Sequence, residues 1–244
     1  MNSDYRLRFA RREPVIWLGH LDMMRTFERT IRRAGLPVSW SQGFNPRPHL
    51  EFALPGGVGL ATEDDYVDIL MTEPIDDILL VSLLNSSFPC GLQALEAREI
   101  AAEGPSLMSL IAASDYLLQG AGLAAAAGHL LAMPAGQPWP AEKNSKGKRV
   151  NVDIRPLLLT LTIESEDRLL VRVKAGSREN LRPDLLLQVL ADFGGLGRQD
   201  NADIAVTRKL LWIYDPTRAD SKGGSWSDLD QMIRPFDLAG AVKP

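Results

Sequence analysis

Hydrophobic and polar positions change period several times along the chain, and each change predicts an element. Tyr5-Arg-Leu-Arg-Phe9 alternates large apolar with basic residues, the period-2 pattern of a half-buried strand. Beyond Gly19 and His20 the period lengthens. Leu21, Met24, Phe27, Ile31 and Ala34 recur at steps of three and four, which predicts a helix with one apolar face and leaves Arg25, Arg29, Arg32 and Arg33 mostly off it. Gly35 and Pro37 mark its end, since glycine releases the backbone and proline cannot continue a helix. Val38 to Ser41 predicts a second strand. Gln42-Gly-Phe-Asn-Pro-Arg-Pro48 is a loop, because two prolines and a glycine so close together fit no regular element. His49 to Leu54 predicts a third strand and Tyr66 to Thr72 another, or its continuation. Pro74 opens a helix to about Asn85, with Asp76 and Asp77 in the first turn where the helix dipole favours acids. Leu92 to Ile100 closes the set as a strand.

From Ser114 the same order of elements returns without a sequence repeat. Asp115 to Gln119 predicts a strand and Leu123 to Met133 an Ala-rich helix. Ala135 to Lys148, rich in Pro, Gly and Lys, predicts a mobile loop or hairpin tip. Arg149 to Pro156 and Leu157 to Glu164 are strands, and Leu169 to Ala175 pairs back as a hairpin strand. Pro183 to Phe193 is a helix with the stripe Leu186, Val189 and Leu190, and Thr207 to Tyr214 is the last strand. The expected fold class is therefore α+β: tandem ferredoxin-like (split βαβ) units with antiparallel sheets, spanning 1–104 and 105–214. A Gly/Ser/Asp-rich stretch, 215–244, is expected to be a poorly ordered tail.

Composition narrows the chemistry. A hydrophobic fraction of 45% and a charged fraction of 24% suit a globular domain and exclude collagen-like or wholly disordered readings. The first residues lack the apolar core of a signal peptide, and no run of about 18 apolar residues occurs, so no membrane span and a cytoplasmic location are expected. One cysteine, Cys90, excludes a disulfide framework and a cysteine-held zinc or iron–sulfur centre within these residues; it reads as a packed small residue. Charge is uneven. Residues 1–50 hold nine Arg against four acids, and residues 51–104 one Arg against eleven acids. A basic head points to an anionic partner, or to a solvated helix face opposite acidic strands.

Gly19-His-Leu-Asp-Met-Met-Arg-Thr-Phe-Glu-Arg29, Arg33-Ala-Gly-Leu-Pro37, Ser41-Gln-Gly-Phe-Asn-Pro46 and Phe52-Ala-Leu-Pro55 together resemble the radical SAM-linked protein family of unknown function. The likeness runs on through Glu96-Ala-Arg-Glu99, Pro105-Ser-Leu107, Val152-Asp-Ile-Arg-Pro156, Arg182-Pro-Asp184 and Thr207-Arg208, so it covers about residues 4–214. It departs from the commoner pattern at Arg47, where a His often sits between the prolines. The resemblance implies a radical SAM protein as partner, with S-adenosylmethionine and the iron–sulfur cluster residing there. This chain is then an accessory that presents substrate.

Two candidate sites follow. The first joins His20, Asp22, Arg25 and Arg29 to the loop residues Ser41, Gln42, Phe44, Asn45 and Arg47. Arg supplies forked donors for phosphate, and Phe44 and Trp40 offer faces for a base, so RNA or a ribonucleoprotein is the expected ligand. The second gathers Asp153, Arg155, Arg182, Asp184 and Arg208; its plainer reading is an internal Arg155–Asp184 pair and a helix start. Basic residues Lys143, Lys146, Lys148 and Arg149 mark a hairpin tip. The competing class is a metal-independent RNA endonuclease, since tandem ferredoxin-like units with a His near the first helix resemble CRISPR repeat-processing enzymes. His20 would be its base with Tyr5 and Arg25 beside it, and Gly194-Gly-Leu-Gly197 a partial stand-in for their glycine-rich loop.

Overall fold

The computed structural model describes residues 3–101, 105–145, 147–197, 203–215 and 229–238. The chain is α+β, with antiparallel strands dominant and helices few. It divides into two compact units, one of residues 1–111 with 210–244 and one of residues 112–209. The second unit is thus inserted in the sequence of the first.

In the first unit, strand β1 (Ser3–Arg11) leads to helix α1 (His20–Ala34), strands β2 (Leu50–Phe52) and β3 (Leu60–Met71), helix α2 (Asp77–Ser87), strand β4 (Leu92–Ile100) and a single turn, α3 (Leu107–Leu110). β1 pairs antiparallel with both β3 and β4, and β2 pairs with β3, giving the order β4-β1-β3-β2. Alternation along β1 sets the two faces. Tyr5, Leu7 and Phe9 join Val67, Ile69 and Met71 of β3 in a core covered by Met23, Phe27 and Ile31 of α1 and Leu80 and Leu84 of α2. Phe27 meets Phe9, Phe52 and Phe88 edge-on at 5.1 Å each. Asp76 caps α2 by accepting from the Leu79 N–H at 2.9 Å.

The helix face differs from the expected stripe. Met23, Phe27, Thr30 and Ile31 are its buried residues, while Leu21 is 67% exposed. Leu21 sits two residues before Met23, about 200° around the helix, so the two cannot share a face. Val38–Ser41 makes only isolated bridges, Val38 to Met71 and Trp40 to Pro48. β3 starts six residues before Tyr66 because Asp64 and Asp65, loop-like in sequence, are buried in the strand.

The second unit holds most of β5 (Ile111–Gln119), helix α4 (Leu123–Leu131), the hairpin β6 (Pro140–Ser145) and β7 (Lys148–Asp153), β8 (Leu158–Ser165), β9 (Arg168–Lys174), helix α5 (Pro183–Asp192) and the start of β10 (Ala205–Tyr214). β5 pairs with β9 and β9 with β8, all antiparallel. Gly194 is a close-packing position: a Cβ there would lie 2.6 Å from the carbonyl oxygens of Ala126 and Leu190. The Gly194 carbonyl also lies 2.9 Å from Nδ1 of His129. This glycine therefore serves helix packing.

The stretch expected to be a poorly ordered tail contains, at residues 229–238, a short turn and strand β11 (Met232–Ile233), which pairs antiparallel with Ile213 and Tyr214 of β10. Residues 216–228 and 239–244 lie outside the described residues. Among the described residues, no helix is long and apolar enough to cross a membrane.

Candidate functional site

Asp22, Arg25, Arg29 and Arg32 follow one another at steps of three and four on the face of α1 that the core leaves to solvent. Arg25 pairs with Asp22 at 2.9 Å. Glu28 takes Arg32 at 3.3 Å and Arg47, from the loop, at 3.4 Å. The Arg32 guanidinium also lies over the Trp40 ring, 4.0 Å from its centroid. Helix and loop are thereby joined. The loop is closed at its base, where the Ser41 N–H donates to the Arg47 carbonyl at 2.8 Å and the Arg47 N–H donates to Ser41 Oγ at 3.0 Å. Gln42, Phe44 and Asn45 stand exposed beyond that clasp, and Phe44 is fully exposed at 105%. Three guanidiniums here share two carboxylates, and exposed pairs of this kind are worth about 0.2–1 kcal/mol each, so an external phosphate competes for them easily.

His20 is brought to a different place. It begins α1, whereas the loop meets the helix at Glu28, eight residues on and about 12 Å along the axis. His20 stacks edge-on against Phe52 at 5.5 Å and lines a narrow cleft with Phe9, Arg11, Met23, Leu54 and Asp65. Burial holds its imidazole below the ordinary value of 6.5, favouring the neutral ring. Tyr5 lies four residues from Phe9 along β1, about 13 Å from that end of the strand. Its hydroxyl donates to the Ile75 carbonyl at 2.8 Å and accepts from the Ile75 N–H at 2.9 Å. The structure therefore does not assemble a His20–Tyr5 pair.

Much of the basic head is internal. Arg6, 4% exposed, makes a bidentate pair with Asp68 at 2.8 and 2.9 Å and donates to the Pro235 carbonyl at 2.8 Å. Arg8 pairs with Glu96 at 3.1 Å. Arg11, 2% exposed, donates to the carbonyls of Val15, Ile16, Leu18 and Gly57 and so holds two loops together. Asp68 and Glu96, two of the acids of residues 51–104, are thus the cross-strand partners of Arg6 and Arg8 of β1. Asp64 adds a cluster that no local pattern signals: it accepts from the Leu211 N–H at 3.0 Å, from Tyr66 Oη at 2.9 Å and from Arg234. Burial raises the Asp64 carboxyl above its ordinary value, against the pull of these donors.

The second candidate set disperses. Asp153 accepts from the N–H groups of Trp139 at 2.8 Å and Arg155 at 3.0 Å. Arg155 donates to the carbonyls of Pro134 and Gln137, both at 2.7 Å, and Asp184 pairs with Arg182 at 2.7 Å, so the expected Arg155–Asp184 pair is absent. Arg208 is buried near Tyr116. Lys148 and Arg149 lie on β7, and Lys146 falls outside the described residues. Cys90, expected to be packed, is an exposed free thiol.

No curated protein matches this chain. A solved structure described as an unknown protein from Galdieria sulphuraria is similar at 13% identity, covering 85% of this chain and 98% of that one, with a TM-score of 0.27. A family of uncharacterized proteins conserved in bacteria, DUF2344, matches residues 4–183, and the chain belongs to it.

Proposed function

We propose that this chain is a non-catalytic accessory protein that presents RNA, or a ribonucleoprotein, to a radical SAM enzyme through the surface formed by α1 and the loop 41–47. One observation carries the reading: Arg47 reaches from the loop to Glu28 at 3.4 Å, which sets the arginine stripe of α1 beside a fully exposed Phe44. Guanidiniums for phosphates next to an aromatic face for a base are what a single-stranded nucleic acid needs. The strings that resemble the radical SAM-linked family, Gly19 to Arg29 and Ser41 to Pro46, fall on these same two elements. Substrate radical chemistry belongs to the partner, because three cysteines are required to hold its cluster and this chain has one. The pairing of β1 between β4 and β3, with β2 on β3, and the sequence of elements from β5 to β10 support reading the units as ferredoxin-like.

The test is fluorescence anisotropy with a short single-stranded RNA at several salt concentrations. Arg25→Gln with Arg29→Gln and Arg47→Gln is expected to weaken binding on the order of a hundredfold and to flatten the salt dependence by about 0.7 for each phosphate no longer neutralised. Phe44→Ala is expected to cost about 1–3 kcal/mol of affinity with the salt slope unchanged. Affinity that ignores these substitutions removes the RNA half. Failure to co-purify with any radical SAM protein removes the partner half. The endonuclease reading keeps one supporting feature, the neutral His20 beside Arg11 and Asp65; RNA cleaved by the wild type and not by His20→Ala would favour it.

A further inference from the structure

We propose that a polar cleft in the second unit binds the phosphate group of a ligand of about mononucleotide size. The cleft is independent of the surface on α1. Strand β9 ends at Lys174, and Gly176, at φ 117°, turns the chain through a conformation that side chains resist. The loop so formed is pinned at its base by the Leu181 N–H donating to the Lys174 carbonyl at 2.9 Å. Opposite it, β6 is tied to α5 by the Glu142 N–H donating to Gln188 Oε1 at 3.1 Å.

Between these walls lies a cleft of about 340 Å³, lined chiefly by Lys143, Asn144, Ser177, Arg178, Asn180 and Arg182. That size is at the small end of ligand pockets, which run from about 300 Å³ upward. Three of the lining side chains are cations and none is a carboxylate. Of the acids nearby, Glu179 pairs with Lys174 at 2.8 Å and Glu142 with Arg149 at 3.4 Å, outside the lining, while Asp184 holds one lining cation, Arg182, at 2.7 Å in an exposed pair with which a phosphate competes. Arg182 is also the residue at which α5 begins, and its side chain reaches Asp184 in the first turn of that helix rather than a backbone N–H. Three cations with hydroxyl and amide donors match the three terminal oxygens of a phosphate monoester better than the two of a carboxylate.

The phosphate has two sources, a free nucleotide or the phosphorylated end of an RNA, and one experiment separates them. The full chain labelled with ¹⁵N is titrated with AMP, with adenosine, and with a short RNA carrying or lacking a 5′-phosphate. The amides of residues 176–182 and of Lys143 are expected to shift saturably with AMP and not with adenosine. Lys143→Gln with Arg178→Gln is expected to weaken that binding roughly tenfold per charge removed while amides elsewhere keep their positions. If AMP is silent but the 5′-phosphorylated RNA shifts these amides and its unphosphorylated form does not, the phosphate comes from an RNA end. Equal shifts with AMP and adenosine, no shift with any of the four, or unchanged affinity in the double variant overturns the site. The triple arginine variant of α1 and its loop should keep the AMP response, so failure of the RNA reading above leaves this result intact.

Discussion

Strand β1 and helix α1 carry seven of the nine arginines found in the first fifty residues, and they use them in opposite ways. On β1, Arg6 and Arg11 are almost wholly buried and are held by a carboxylate and by backbone carbonyls. On α1, Arg25 and Arg32 sit in exposed pairs, and Arg29 is exposed on the same stripe. The same residue type is therefore structure in one element and available charge in the other. Net charge counted along the sequence does not distinguish them, so the basic head overstates what an anionic partner meets.

The sharpest way to break this contrast is Arg11→Met. It removes one donor from each of four carbonyls, of which only those of Val15 and Ile16 keep a backbone N–H, from Leu18 and Gly59, and it is expected to lower the unfolding free energy by about 3 kcal/mol, read by urea denaturation. Arg29→Gln should change it by less than about 0.5 kcal/mol. A small effect at Arg11, or a large one at Arg29, would mean that burial does not separate the two groups.

Next in size is Arg234→Met, which removes the nearer of two counter-charges from the buried Asp64, leaving Arg8 at 3.8 Å, and is expected to cost about 2–3 kcal/mol near neutral pH. The pH dependence has a definite sign. Because the folded carboxyl titrates above its unfolded value of 3.8, its contribution to stability is full below that value and is lost as pH rises through the raised one. The loss in Arg234→Met should therefore shrink in acid, and denaturation at two pH values checks it.

The smallest effect belongs to His20. Its depressed value means that its contribution is present above 6.5 and is lost as pH falls through the lowered midpoint. A proton NMR titration of the ring should give a midpoint below 6.5. A midpoint at or above that value would show that the cleft does not shield it.

How far the sequence carries depends on whether a residue's partner is near in the chain. β4 is legible to the residue, as Leu92 to Ile100, because its turn signals and apolar positions are local. The loop 41–47 reads as a neighbour of the start of α1 at His20, but it meets that helix at Glu28, eight residues on, a place that no local pattern signals. The early start of β3 is not legible, because the partners that hold the buried Asp64 include Arg234 and the Leu211 N–H, 170 and 147 positions away. Tyr5 reads as reactive and proves to be a tether, since its partner is the Ile75 backbone, 70 positions away. Period and turn chemistry find elements; they are silent about which distant group satisfies a buried polar atom.

The insertion of one unit within the other has a consequence for how the protein is made and handled. Residues 210–238 supply β11, Arg234 and Phe236 to a unit that otherwise ends at residue 111. During synthesis, the whole of residues 112–209 must leave the ribosome before the earlier half receives its closing piece. A recombinant fragment cut at 111 would carry Asp64 without Arg234 and is a poor choice for isolating the surface of α1 and its loop.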